Sequence, residues 1–224
     1  MSFDIAGLNL AKTPTLEAVA TGDEKALAAD LRKRVEEAIQ AAESQKEVVE
    51  ARESQAAAER KLGSFKNAER WLSDFAKAAL AQAAIAAEAA LNAWIASAAV
   101  GEKPEYKKAA AVASIETQHQ FAIRAIERLV EHFIPAAQIE SLREESHALM
   151  TRARAVEAIA QQRAQKILGQ VRDAVSDEMV LPIDLSKGVS GALLAHSAGW
   201  KKMALQISAN ADELERSYNE RRKA

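Results

Sequence analysis

The chain has 224 residues, with 30 Lys and Arg against 32 Asp and Glu, a net charge of -2. That balance excludes a strongly basic nucleic-acid surface as the dominant feature, and the absence of cysteine excludes disulfides, thiolate metal sites and a cysteine nucleophile. Hydrophobic residues make up 49%, but 51 residues are Ala, so larger apolar side chains supply only about 26%, aromatics 4%, and Gly and Pro number eight and four. This composition suits long helices packed through small side chains and argues against sheets, which favour β-branched and aromatic residues.

The start, 1–7, lacks the basic and apolar regions of a secretory signal, so the expected location is cytoplasmic, at most peripheral to a membrane or granule. Pro14, Pro104, Pro135 and Pro182 read as helix punctuation, and Gly22, Gly63 and Gly101 add further breaks. The expected organisation is an N-terminal arm, 1–22, a helical bundle, 23–221, and a short tail, 222–224. Within the bundle five helices are predicted, roughly 23–62, 64–100, 105–133, 136–179 and 186–221. At about 1.5 Å per residue these are rods of roughly 40 to 65 Å. The predicted fold is therefore all-α, an elongated antiparallel, coiled-coil-like bundle.

The first predicted helix sets Val35, Ala42, Val49 and Ala56 seven apart, a thin heptad line that holds only against partner helices. The second begins polar and ends almost bare of charge, since Glu88 is the only ionisable side chain in 78–101. Its predicted seam is Leu80, Ala84, Ala87, Leu91, Trp94 and Ala98. The third carries Val112, Ile115, His119, Ala122, Ile126, Leu129 and Phe133 at spacings of three and four, an amphipathic stripe. Ile139, Leu142, Leu149, Val156, Ile159 or Ala160, Ile167 and Val171 mark the fourth, with a bend expected near Gly169. Asp184 or Ser186 is the predicted cap of the last, which bears Leu193, Leu194, Trp200, Met203, Leu205, Ile207 and Leu214 and turns polar from Asn210.

Three signals could carry function. Glu116 with His119, and Glu144 with His147, both match Glu-x-x-His, which sets a carboxylate and an imidazole one helical turn apart. A turn at Pro135 would bring the two pairs level, and Glu88 would add a carboxylate. This pattern resembles that of ferritin-like carboxylate proteins, which implies iron or manganese, although in that family the two motif helices are not normally consecutive. The same histidines also fit satisfied interior or rim positions.

The Ala-rich stretch 78–101 is long enough to cross a bilayer core, although a charged Glu88 would cost about 2.5 to 3.5 kcal/mol at mid-membrane. It reads as a close-packed bundle helix, or as a hairpin that meets lipid, as in a soluble α-helical pore-forming protein.

The third signal is the run Gln118, Phe121, Ala122, Ala125, Ile126, Glu127 and Arg128, following an Ala-rich helix that opens with Trp71, Phe75 and Ala76. It resembles phasins, the helical proteins that coat polyhydroxyalkanoate granules. The resemblance implies a non-catalytic amphipathic coat protein that adsorbs through apolar faces and oligomerises through coiled-coil segments.

Gly188, Gly191 and Gly199 form no phosphate-cradling loop, and no Gly-x-Ser-x-Gly elbow is present. The basic groups at 32–34, 107–108, 201–202 and 221–223 lack the interleaved aromatics of a nucleic-acid platform. The expected function is thus a non-catalytic interaction or assembly protein, a homo-oligomer or the partner of another helical protein or apolar surface. The expected determinants are Trp71, Phe75, Leu91, Trp94 and Ile95.

Overall fold

A computed structural model describes residues 24–99, 107–174 and 188–223. Among them the fold is all-α, a helical bundle without strands. The helices are α1 (Glu24–Glu43), α2 (Lys46–Ala99), α3 (Lys107–Arg128), α4 (Ile134–Ala174) and α5 (Val189–Lys223), with a π-helical turn, Leu129–Phe133, joining α3 to α4. The expected arm at 1–22, the punctuation at Pro14, Gly22, Gly101, Pro104 and Pro182, and the caps at Asp184 or Ser186 lie outside the described residues.

The helix boundaries depart from the sequence expectation at three places. The predicted first helix, 23–62, is broken at Ser44 and Gln45, where the Gln45 N–H turns back to the Ala42 carbonyl at 3.1 Å and the Gln45 carbonyl accepts from Val48 and Val49, each at 3.0 Å. The turn resets the helical phase: Val35 and Ala42 are buried as expected, but Val49 is 40% exposed and Val48 takes the buried position. Gly63, expected to break the chain, sits inside α2 with open space around it. A lone Gly costs only about 1 kcal/mol against Ala, which a 54-residue helix absorbs.

The third departure is Pro135. Instead of folding the chain into a hairpin, it stands just inside α4, and the backbone stays helical from Lys107 to Ala174. Pro has no N–H to donate four residues back, and its ring clashes with the carbonyl there. The π turn widens the helix immediately before it, with the Ile134 N–H bonded to the Leu129 carbonyl five residues earlier, while Arg128 and Ile134 keep right-handed helical angles. Helix α4 also runs through Gly169 without interruption, and α5 continues to Lys223, through the segment read as a tail.

The chain forms two compact units, the first comprising Met1–Ala57 and Leu142–Glu213, the second Ala58–Ser141 and Leu214–Ala224. In the first, four helices share one core: Val35, Ala38 and Ala42 of α1, Val48 of α2, Ala155, Val156 and Ala160 of α4, and Val189 and Leu193 of α5. Helices α4 and α5 run antiparallel, since Arg143 meets Asp212 at 3.7 Å, the Ser146 hydroxyl donates to the Ala204 carbonyl at 2.8 Å, and the buried Ser197 hydroxyl donates to the Ala153 carbonyl at 2.9 Å. On α5 the fully or nearly fully buried Ser197, Ala204 and Ala211 recur every seven residues, the heptad repeat of a coiled-coil seam.

In the second unit, α2 and α3 form an antiparallel hairpin. Lys61 reaches Glu140 at 2.6 Å, Phe65 and Phe133 lie 5.6 Å apart between ring centres, and His119 Nδ1 is 3.0 Å from the Ala76 carbonyl. The α3 stripe packs as expected, with Ala122 fully buried and Val112, Ile115, His119, Ile126 and Leu129 half-buried, but Phe133 at its end is 51% exposed. The last turns of α5 join this unit, where the Tyr218 hydroxyl meets the His132 carbonyl at 3.5 Å.

Candidate functional site: the outer face of α2

Two lines of apolar residues run along the second half of α2, each with the alternating three-and-four spacing of a helix seam. The first is Ala76, Ala79, Ala83, Ala86, Ala90 and Ala93, buried at its start and half-buried beyond. This all-Ala line is the one packed, and its small side chains let the neighbouring backbone come close enough for the His119 ring to reach the Ala76 carbonyl. The second is the line expected from the sequence to be the seam: Leu80, Ala84, Ala87, Leu91 and Trp94 are all exposed, Leu80 to 59%, Leu91 to 56% and Trp94 to 52%. That expectation is corrected, because an Ala seam permits a closer approach than a Leu and Trp seam and leaves the bulkier line outside. Ala98, its last member, lies where the side chains are not described.

Ile85 and Ile95 add exposed apolar surface, at 67% and 52%. By length and composition α2 is long and apolar enough to cross a membrane, with mean hydropathy 1.3 over an eighteen-residue window of which 11% is buried. A soluble helix this apolar is ordinarily covered, and contiguous exposed apolar surface marks an interaction site. Of the expected determinants, Leu91, Trp94 and Ile95 are therefore exposed on α2. Trp71 is 64% exposed and stacks on the half-buried Phe75, ring centres 5.6 Å apart and planes 16° apart, one turn along the same helix. On α3 the expected run contributes Phe121, 72% exposed, while Ala122 beside it is fully buried.

The Glu-x-x-His residues come out differently. Among the described residues no three His, Asp or Glu side chains stand close enough to hold a metal ion. Because Pro135 makes no hairpin, His119 and His147 sit on one continuous helical run and belong to different compact units. Within the second unit His119 is level with Ala76, which sets Glu116 near residue 79 of α2 and leaves Glu88 about 13 Å further along. Glu88 and Glu116 are exposed, and the His119 ring nitrogen is taken up by a backbone carbonyl. Glu144 and His147 line an open groove of about 650 Å³ in the first unit, opposite Glu47 and Glu50 at the start of α2. Sequence reading missed this groove, which depends on the turn at Ser44 and Gln45 that starts α2.

One charged group in the first unit is perturbed. The Arg152 guanidinium is held below its ordinary pKa by desolvation, bonds to Glu43 and lies 4.1 Å over the Trp200 ring, with its Nε buried and unpartnered. Its chemistry is structural: Glu43 also faces Arg52 at 3.7 Å, so one carboxylate ties α1 to both α2 and α4. Compared with protein-family models, with characterised proteins and with solved structures, this chain has no match.

Proposed function

We propose that the protein is a non-catalytic assembly protein that binds a partner or an apolar surface through the outer face of α2. The observation that carries this reading is the mismatch between composition and burial: a helix window of mean hydropathy 1.3 has 11% of its residues buried. Apolar surface removed from water is worth roughly 25 cal/mol per Å², so leaving Leu80, Leu91, Trp94 and Ile95 bare forgoes several kcal/mol that a partner would recover. The likeness to phasins adds one class of surface to try, an apolar polyester granule. The reading places the protein in the cytoplasm, peripheral to whatever it coats.

The test combines light scattering with co-sedimentation on anionic liposomes and on polyester particles, at low and at physiological salt. Association through this face resists salt, since screening weakens charge attraction but leaves hydrophobic burial intact. Leu91→Glu together with Trp94→Glu is expected to abolish it, while the helical circular dichroism stays unchanged because both side chains are exposed in the folded chain. A wild-type protein that is monomeric and stays in solution beside both surfaces overturns the reading.

A second reading rests on length. Residues 78–99 of α2 span about 33 Å with Glu88 as their only ionisable group, against a bilayer core of about 30 Å. In that reading the hairpin enters the bilayer and forms a pore. Liposomes that bind the protein and release trapped dye support it; liposomes that bind without release leave the coat.

A further inference from the structure

The occupant of the outer face can be named from three features, in an argument that rests on the reading just given. The first is spacing: Leu80, Ala84, Ala87, Leu91 and Trp94 alternate four and three apart, the phase in which one helix receives another. The second is charge. From 78 to 99 there is no Lys or Arg, so the face offers nothing to an anionic headgroup or a polyanion, and it is complementary to a face as neutral as itself.

The third is side-chain size. If two copies of α2 are laid antiparallel about residue 89, Ala87 of each stands opposite Leu91 of the other, and Ala84 opposite Trp94. Every large side chain then meets an alanine, in both directions at once, as a two-fold interface requires. Glu88, one position past Ala87, flanks the seam about 3 Å along the axis from its counterpart, so the two carboxylates share the solvent-facing edge of the pairing, where water and salt screen their repulsion. A parallel arrangement would instead set Leu91 against Leu91 and Trp94 against Trp94, with Ala84 and Ala87 leaving gaps between them.

We propose that the exposed Leu80, Ala84, Ala87, Leu91 and Trp94 line of α2 is a self-association surface, on which a second copy of this chain docks antiparallel about residue 89. Two hairpins joined this way form a four-helix assembly whose central seam is built from alternating large and small residues.

The chain contains no cysteine, so single thiols report on this register directly. Full-length Ala87→Cys and Leu91→Cys proteins are purified reduced, mixed in equal amounts at tens of micromolar, and oxidised. The expected product is the mixed disulfide between the two variants, formed in several-fold excess over either variant joined to itself. In parallel, the cysteine-free protein is expected at twice the 24.2 kDa chain mass by light scattering, and Leu91→Asp at the chain mass with unchanged helicity. Self-joined Ala87→Cys as the main product overturns the antiparallel register. A wild-type mass of one chain, with salt-resistant pelleting on liposomes or polyester particles, overturns self-association and leaves the preceding reading standing. One chain mass and no pelleting overturns both.

Discussion

Leu193 has no exposed surface and is among the largest fully buried side chains, placed where α1, α2, α4 and α5 share one core. Most of its neighbours there are Ala and Val, too short to move in and fill a gap. Leu193→Ala therefore removes a transfer contribution and leaves a cavity, and a loss of about 3 to 5 kcal/mol is expected in urea unfolding, toward the upper part of the range for such truncations. A loss below about 1 kcal/mol would mean that the core collapses around the site. Arg152, close by, contributes differently: its desolvation opposes folding, while Glu43 and the Trp200 ring offset that cost. Because a guanidinium stays charged throughout the accessible pH range, its desolvation cost does not vary with pH there.

At the scale of the helix, α2 shows what its sequence could and could not reveal. Its two apolar lines share one period, and size preference selects the Leu and Trp line as the seam; the fold selects the Ala line, because Ala79 and its neighbours allow close approach to α3. Adjacent residues should then respond in opposite ways. Ala79 is 4% exposed, so Ala79→Leu forces bulk into a tight seam and is expected to cost about 1 to 3 kcal/mol. Leu80, 59% exposed, should lose less than about 0.5 kcal/mol as Leu80→Ala, measured at submicromolar concentration where self-association does not contribute. Equal costs for the two would place the seam on the wrong line. The α3 stripe was more legible than the α2 seam because most of the large residues there, Val112, Ile115, Ile126 and Leu129 among them, fall on one face, with Phe121 the exposed exception. The break at Ser44 and Gln45 has no Gly or Pro to announce it, and Pro135, which reads as a stop, is accommodated by a π turn that local propensity does not foretell.

Across the whole molecule the all-α class follows from composition, because 51 alanines and few β-branched or aromatic residues leave sheets little to pack with. The distribution of stability does not follow from composition, since Ala-rich helix occurs in both compact units. It follows from what each unit buries. The first encloses Val35, Val48, Val156, Val189 and Leu193, whereas among the described residues of the second most of the buried side chains are alanines, Ala58, Ala76, Ala79, Ala122 and Ala137, with Ile139 the larger exception. Local opening costs least where few large apolar contacts must be broken. Native-state hydrogen exchange followed by mass spectrometry should therefore find the amides of 148–160 in α4 the slowest, and those of 80–96 in α2 at least ten-fold faster, although both segments are helical throughout. That ratio is expected at submicromolar protein and should shrink as concentration rises, because a second copy on the outer face of α2 would protect 80–96 and leave 148–160 unchanged. Equal rates in the two segments at low concentration would show that an Ala seam alone holds a helix as firmly as a Val and Leu core does.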